Sequence, residues 1–157
     1  MAKDRVKVNR WYFVDNIKAT CASYLSTAKI FLDSSETICD KNLERFGSEA
    51  FKVVYYLIGH SLELNFKAFL LHKGYNEDTL KRSFSHNLSR LSEEVKRNGL
   101  VILDAEDEKA INELNDYYSN KEIEYEKTDF ELDAPWHYFD IIKKLLNEVK
   151  KAVVVII

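Results

Sequence analysis

The sequence predicts an all-α protein, a single domain over 1–157 built as an antiparallel up-and-down bundle of about five helices. Three observations carry this expectation. Breakers are scarce, with one Pro and four Gly in 157 residues, which favours long helices over many short strands joined by turns. Apolar residues recur at 3-4-3-4 spacing in several separate stretches, the pattern of a helix with one buried stripe. Short and medium links join these stretches, so each helix folds back against its neighbours.

The first helix is expected over roughly 9–33. Val14, Ile17, Cys21, Tyr24, Ala28 and Phe31 form its seam, and Asp33-Ser34-Ser35 closes it. Residues 1–8 are expected to be loosely ordered. The second helix runs from about Ser48 to His72, with Gly74 suited to its C-terminal cap. Phe51, Val54, Tyr55, Ile58, Leu62, Phe66 and Phe69 make one face of it. Leu57, Leu64, Ala68 and Leu71 extend that face nearly all round, as expected of a helix at the centre of a bundle. A third helix is expected to begin near Ser85, to bury Leu88, Leu91 and Val95, and to stop at Gly99. The fourth begins near Asp104, whose side chain suits the cap, with Asp107 and Glu108 favourable in its first turn. It buries Ile111, Leu114 and Tyr118. The polar stretch Ser119–Asp133 reads as a loop. The fifth helix opens around Asp133 and Pro135, where the missing proline N–H costs least. Phe139, Ile142, Leu146, Val149, Val153 and Ile156 give its seam. The apolar end Val153–Ile157 is either core or a subunit contact.

Composition bounds the function. Hydrophobic residues make up 46% and charged residues 31%, an ordinary globular balance at a length that buries one core. A net charge of −3 gives no bulk attraction to nucleic acid. The charge is uneven, however. Residues 60–99 carry seven Lys/Arg against five Asp/Glu, and residues 100–133 carry three against twelve. A polyanion would avoid the acidic stretch, whose simplest reading is a solvated surface. No apolar run approaches a membrane span, and Met1-Ala2-Lys3-Asp4-Arg5 does not open a signal peptide. Cys21 and Cys39 make neither a disulfide framework nor a metal-ligand set, so a cytoplasmic setting with reduced thiols is expected.

One region hints at a site. Tyr56, His60, Glu63 and Lys67 fall within an arc of roughly 60° on the second helix, which is otherwise apolar there. Glu63 and Lys67 stand in the favourable i,i+4 order for an ion pair. Two readings stand side by side: a solvent-facing strip stabilised by that pair, or a polar pocket between helices. His60 and Glu63 have the i,i+3 spacing of carboxylate-bridged metal bundles, but the second such pair is missing and no Glu-x-x-His occurs, so no metal is expected. His86 follows Lys81-Arg82-Ser83-Phe84-Ser85 and is expected in the first turn of the third helix. A neutral imidazole there, beside cationic Lys81 and Arg82, suits metal-free RNA cleavage. His86 as the base would take a 2′-hydroxyl proton while the cations hold the phosphate. A simple helix cap is the alternative role for Ser85 and His86. Tyr117, Tyr118 and Tyr125 could stack bases, but their acidic neighbours argue against it. No phosphate loop, nucleophile elbow or His-Glu-x-x-His motif occurs, and no cofactor is expected.

The run Leu62-Glu63-Leu64-Asn65-Phe66-Lys67-Ala68-Phe69-Leu70-Leu71-His72-Lys73-Gly74, followed by His86-Asn87-Leu88-Ser89-Arg90-Leu91, resembles the HEPN superfamily of prokaryotic helical-bundle proteins. The resemblance spans roughly 10–150 in helix order and 58–91 in motif. It implies an up-and-down α-bundle that usually forms a homodimer along the site-bearing helices. It also implies a place in toxin–antitoxin, CRISPR or abortive-infection systems, with RNA or an antitoxin as partner. Many members are metal-independent endoribonucleases whose motif is Arg, four to six residues, then His, sometimes with Glu-x-x-x-Lys on the preceding helix. Glu63 and Lys67 match the latter, and His86 matches the histidine. The arginine departs from the pattern: Arg82 has three residues before His86, and Lys81 has the spacing but not the guanidinium fork. Two functions follow from this. One is a non-catalytic module that binds a partner protein or nucleic acid. The other is a ribonuclease in which Lys81 and Arg82 jointly replace the arginine.

Overall fold

A computed structural model describes residues 16–125 and 131–154. All regular structure among them is helical: α1 (Asn16–Phe46), α2 (Ser48–His72), α3 (Glu77–Ser83), α4 (Leu88–Arg97), α5 (Ala105–Tyr118), α6 (Glu122–Tyr125) and α7 (Pro135–Val154). The five expected helices correspond to α1, α2, α4, α5 and α7. Two short segments are additional. The seven-residue α3 interrupts the link after α2, and the one-turn α6 interrupts the stretch expected to be a loop. Ile123 of α6 is buried, which explains why one turn forms inside an acidic segment.

α1 does not end at Asp33-Ser34-Ser35 but continues to Phe46. The polar side chains there bond to the helix's own carbonyls and leave it intact. Ser35 donates its hydroxyl to the Leu32 carbonyl at 2.8 Å, and Thr37 donates to Asp33 at 2.7 Å. The buried stripe is also turned from the expected one. Cys21, Leu25, Ala28, Leu32 and Ser35 are buried, whereas Tyr24 and Phe31 are only half-buried. Residues 1–8, Val14 and Ile156, and the Ile17 side chain, lie outside what is described.

α2 has the expected bounds and packs against α1, α4, α5, α6 and α7. Val54, Ile58, Leu62, Phe66, Ala68 and Leu70 are fully buried, which is why its apolar residues reach nearly all round. Two polar side chains tie it to α1. Ser61 donates to the Ala28 carbonyl at 2.7 Å, and the Cys21 thiol donates to the Ala68 carbonyl at 3.4 Å. The later residue of α1 meets the earlier residue of α2, so this pair runs antiparallel. Gly74 caps α2 at φ 98°. Its N–H bonds the Leu71 carbonyl and the Tyr75 N–H bonds the Leu70 carbonyl, each at 3.0 Å, a Schellman closure.

α4 starts later than expected, at Leu88, with Asn87 as cap. The Asn87 side chain accepts from the Arg90 N–H at 2.9 Å. α5 begins as expected, with Asp104 and Asp107 forming a reciprocal capping box. It buries Ile111, Leu114 and Tyr118. Pro135 opens α7, where Tyr138, Ile141, Ile142, Leu145 and Val149 are wholly buried. Val153 is half-buried against the core, and 155–157 lie outside the described residues.

Candidate functional site

The site forms where the middle of α2 meets the end of α5 and the 84–87 link. Glu63 is its hub. Its residue is only 5% exposed, so the solvent-facing reading of the α2 strip does not hold at this position. Three donors converge on the carboxylate. Lys67, one turn along α2, donates to Oε1 at 2.5 Å. The Tyr118 hydroxyl, from the last residue of α5, donates to Oε2 at 2.7 Å. Nδ1 of His86 lies 3.0 Å from the same oxygen. Burial by itself would raise the Glu63 pKa. The Lys67 charge and the hydrogen bonds from Lys67, His86 and Tyr118 outweigh burial and hold the carboxyl below its ordinary value.

These contacts fix proton positions. A carboxylate only accepts, so His86 carries its proton on Nδ1 and Tyr118 donates. The Tyr118 oxygen in turn lies 3.0 Å from Nδ1 of His60, which is then the donor of that pair. Four rings pack in T-shaped, edge-to-face contacts around this chain of bonds. Tyr56 meets His60 at 4.4 Å between centroids, His60 meets Tyr118 at 5.4 Å, and His86 meets Tyr118 at 6.2 Å. In the neutral ring, Nε2 of His86 keeps its lone pair, and the side chain is 45% exposed. The arrangement is therefore an oriented imidazole on a buried carboxylate, the geometry that suits a general base.

His86 is not in the first turn of α4. It precedes the Asn87 cap, in a turn closed by the Asn87 N–H on the Phe84 carbonyl at 2.8 Å. Ser85 before it sits at φ 46°, and its carbonyl accepts from Lys67 at 2.9 Å. The link is thus held onto α2 by Lys67 and by His86 together. His86 thus stands outside the helix expected to begin near Ser85, and its Nδ1 faces the Glu63 carboxylate instead.

Of the residues singled out from the sequence, Tyr56, His60, Glu63, Lys67 and His86 come together. Lys81 and Arg82 do not join them. Arg82 faces Asp78 one turn back on α3, at 3.9 Å, with both side chains more than four-fifths exposed. It also lines a cavity of about 640 Å³ together with Thr20, Tyr75 and Glu77. Lys81 is exposed and makes no ion pair among the described residues. Sequence reasoning placed Tyr118 on the apolar face of its helix and among the tyrosines that could stack bases, and missed its hydroxyl on Glu63. It also passed over Gly59 as a partner of that ring, and over Arg90, whose guanidinium lies 5.7 Å above the Phe84 ring.

A second histidine contacts carboxylates with both of its ring nitrogens. His137 lies 2.7 Å from Asp133 through Nδ1 and 3.2 Å from Asp107 through Nε2. Both of its ring nitrogens are thus engaged by carboxylates, whereas His86 has one such contact. Among the described residues no group of three or more His, Cys, Asp or Glu is placed to hold a metal ion, and no helix is long and apolar enough to cross a membrane. No family model, curated protein or solved structure matches the chain.

Proposed function

We propose that this chain is a HEPN-like bundle of antiparallel helices that acts as a non-catalytic binding module in a prokaryotic defence or stress system. In this reading it works in the cytoplasm as a homodimer, with a partner protein or RNA as its ligand. The observation that supports it is the use of the site's cations. Lys67 is engaged by Glu63 and by the Ser85 carbonyl, Arg82 faces Asp78 at 3.9 Å with both side chains exposed, and Lys81 is exposed. Among the described residues no contact brings Lys81 or Arg82 onto the His86 ring, and a base with nothing to hold the scissile group contributes little. The Glu63 network then serves to fix the 84–87 link as part of a recognition surface. Incubation with varied RNAs in chelator tests this: binding without cleavage by the native chain is expected. RNA cut by the native chain and spared by His86→Ala would overturn it.

A second reading, metal-independent endoribonuclease, is favoured by one observation. Glu63 holds Nδ1–H of His86 at 3.0 Å, which leaves Nε2 the lone pair on a side chain that is 45% exposed. In that reading His86 is the base, Lys81 and Arg82 hold the phosphate, and Glu63–Lys67 orders the site. The same cleavage assay decides between the two readings, and light scattering tests the dimer that both share.

A further inference from the structure

The buried Asp107 carboxylate builds a junction that uses none of the residues around Glu63. It sits in the first turn of α5 and is 2% exposed. Its Oδ2 accepts from the Lys144 ammonium of α7 at 3.0 Å and from the Asp104 backbone N–H at 3.3 Å. Its Oδ1 faces Nε2 of His137, and the other nitrogen of that ring faces Oδ2 of Asp133. Both carboxylates only accept. A neutral imidazole has one N–H to give and an imidazolium has two, so only the charged ring satisfies both oxygens.

We infer that His137 is a proton-operated clasp. Doubly protonated, it ties the 131–134 strap and the first turn of α7 to the start of α5; after losing one proton, it lets one of these ties go. Every element packed here contributes charged or titratable groups. α5 supplies Asp107, with Asp104 at its cap. α7 supplies Lys144 and, further along, Asp140, and the strap supplies Asp133. α2 supplies Tyr55, whose hydroxyl donates to the Asp133 backbone carbonyl at 2.7 Å. Asp107 keeps Lys144 and a backbone N–H when the ring is neutral, so it does not become an uncompensated buried charge. The Asp133 contact is local, at i,i+4, and the shorter of the two. The neutral ring therefore retains Asp133, and the tie released is the one from the first turn of α7 to Asp107, while Lys144 further along α7 stays in place.

Burial alone would favour the neutral ring. The hydrogen bonds and charges of Asp133 and Asp107 outweigh it and hold the His137 pKa above its ordinary value. Such a group stabilises the fold fully below the unfolded pKa, and that contribution is lost as pH rises through the folded one. Loosening on the alkaline side is the expected sense.

The experiment is an NMR titration of the histidine rings from about pH 5 to 9, with hydrogen-exchange protection factors measured for 132–138 on the same samples. A His137 midpoint above that of an unstructured histidine is expected. Protection should fall roughly threefold or more through that midpoint, as one partly exposed charge-assisted bond is lost. His137→Gln should flatten the pH step. A midpoint at or below the unstructured value, or protection that stays level across it, overturns the clasp. Asp133→Asn, at an exposed residue, supplies a second variant that keeps the Asp107 junction. It should lower the His137 midpoint, and an unchanged midpoint would also overturn the clasp.

Discussion

The Tyr118 ring packs directly onto the backbone of α2 at Gly59: a Cβ built on that glycine would stand 2.3 Å from Cδ2, 2.4 Å from Cε2 and 2.9 Å from Cγ of the ring. The close atoms include the root of the ring and not a flexible tip, so the tyrosine would have to move as a whole. Gly59→Ala would gain about 1 kcal/mol of helix propensity. Overpacking costs about 1–3 kcal/mol, and the Tyr118 hydroxyl would leave Glu63 as well. The net effect expected is destabilisation by about 1–2 kcal/mol, read from the urea midpoint. A neutral or more stable Gly59→Ala would show that the ring is not held there.

Glu63→Gln should cost about 2–4 kcal/mol. The amide cannot accept all three donors as a carboxylate does, and Lys67, with a side chain only 12% exposed, would lose its counter-charge. Denaturant unfolding measures this directly. If the strip were solvent-facing, the loss would stay below about 1 kcal/mol.

The Glu63 carboxyl titrates below its ordinary value, which sets the sign of an acid response. A depressed carboxyl contributes stability above its unfolded pKa, and that contribution disappears as pH falls through the folded one. Urea midpoints should therefore fall as pH is lowered below about 4.5. The fall should be smaller in Glu63→Gln, which has no proton to take up. Parallel curves for the two proteins would assign the acid response to other groups.

Asn87→Ala removes the side-chain cap of α4 and should cost about 0.5–2 kcal/mol. Because Asn87 follows His86 directly, the ring should also lose its fixed position. NMR would then show the His86 ring resonances averaging toward those of an unstructured histidine, while those of His137 stay in place. A His86 signal untouched by the substitution would mean that Glu63 and Lys67 alone hold the link.

The bundle was legible in the sequence wherever apolar periodicity met clear stop signals. α2 shows this best, since Gly74 is both the last signal and the residue that closes the helix. α1 misled because Asp33-Ser34-Ser35 has the composition of a break. Its outcome depended on whether Ser35 would find a carbonyl inside its own helix, and composition does not reveal that. α3 and α6 are too short for periodicity to register, and Ile123 buries itself through tertiary contact. At the site, the i,i+4 spacing of Glu63 and Lys67 predicted their pairing. The hydroxyl of Tyr118 comes from a helix far along the chain, and no local pattern encodes which way it turns. Lys81 and Arg82 looked close to His86 because they are close in sequence, yet Arg82 faces Asp78 within its own helix while the His86 ring is turned to Glu63.

α5 also reaches the link from its other side. The Asn115 side chain accepts the N–H of Leu88 at 2.7 Å, three residues before Tyr118 takes Glu63. One turn of a single helix thus holds both the first amide of α4 and the carboxylate on α2. The link between them is thus fixed at both of its supports by a helix anchored through Ile111 and Leu114, both wholly buried, and swinging it outward would also break the Lys67 bond to Ser85 and the His86 contact with Glu63. A ligand arriving at His86 would then meet a surface held from two helices, α2 and α5, at once.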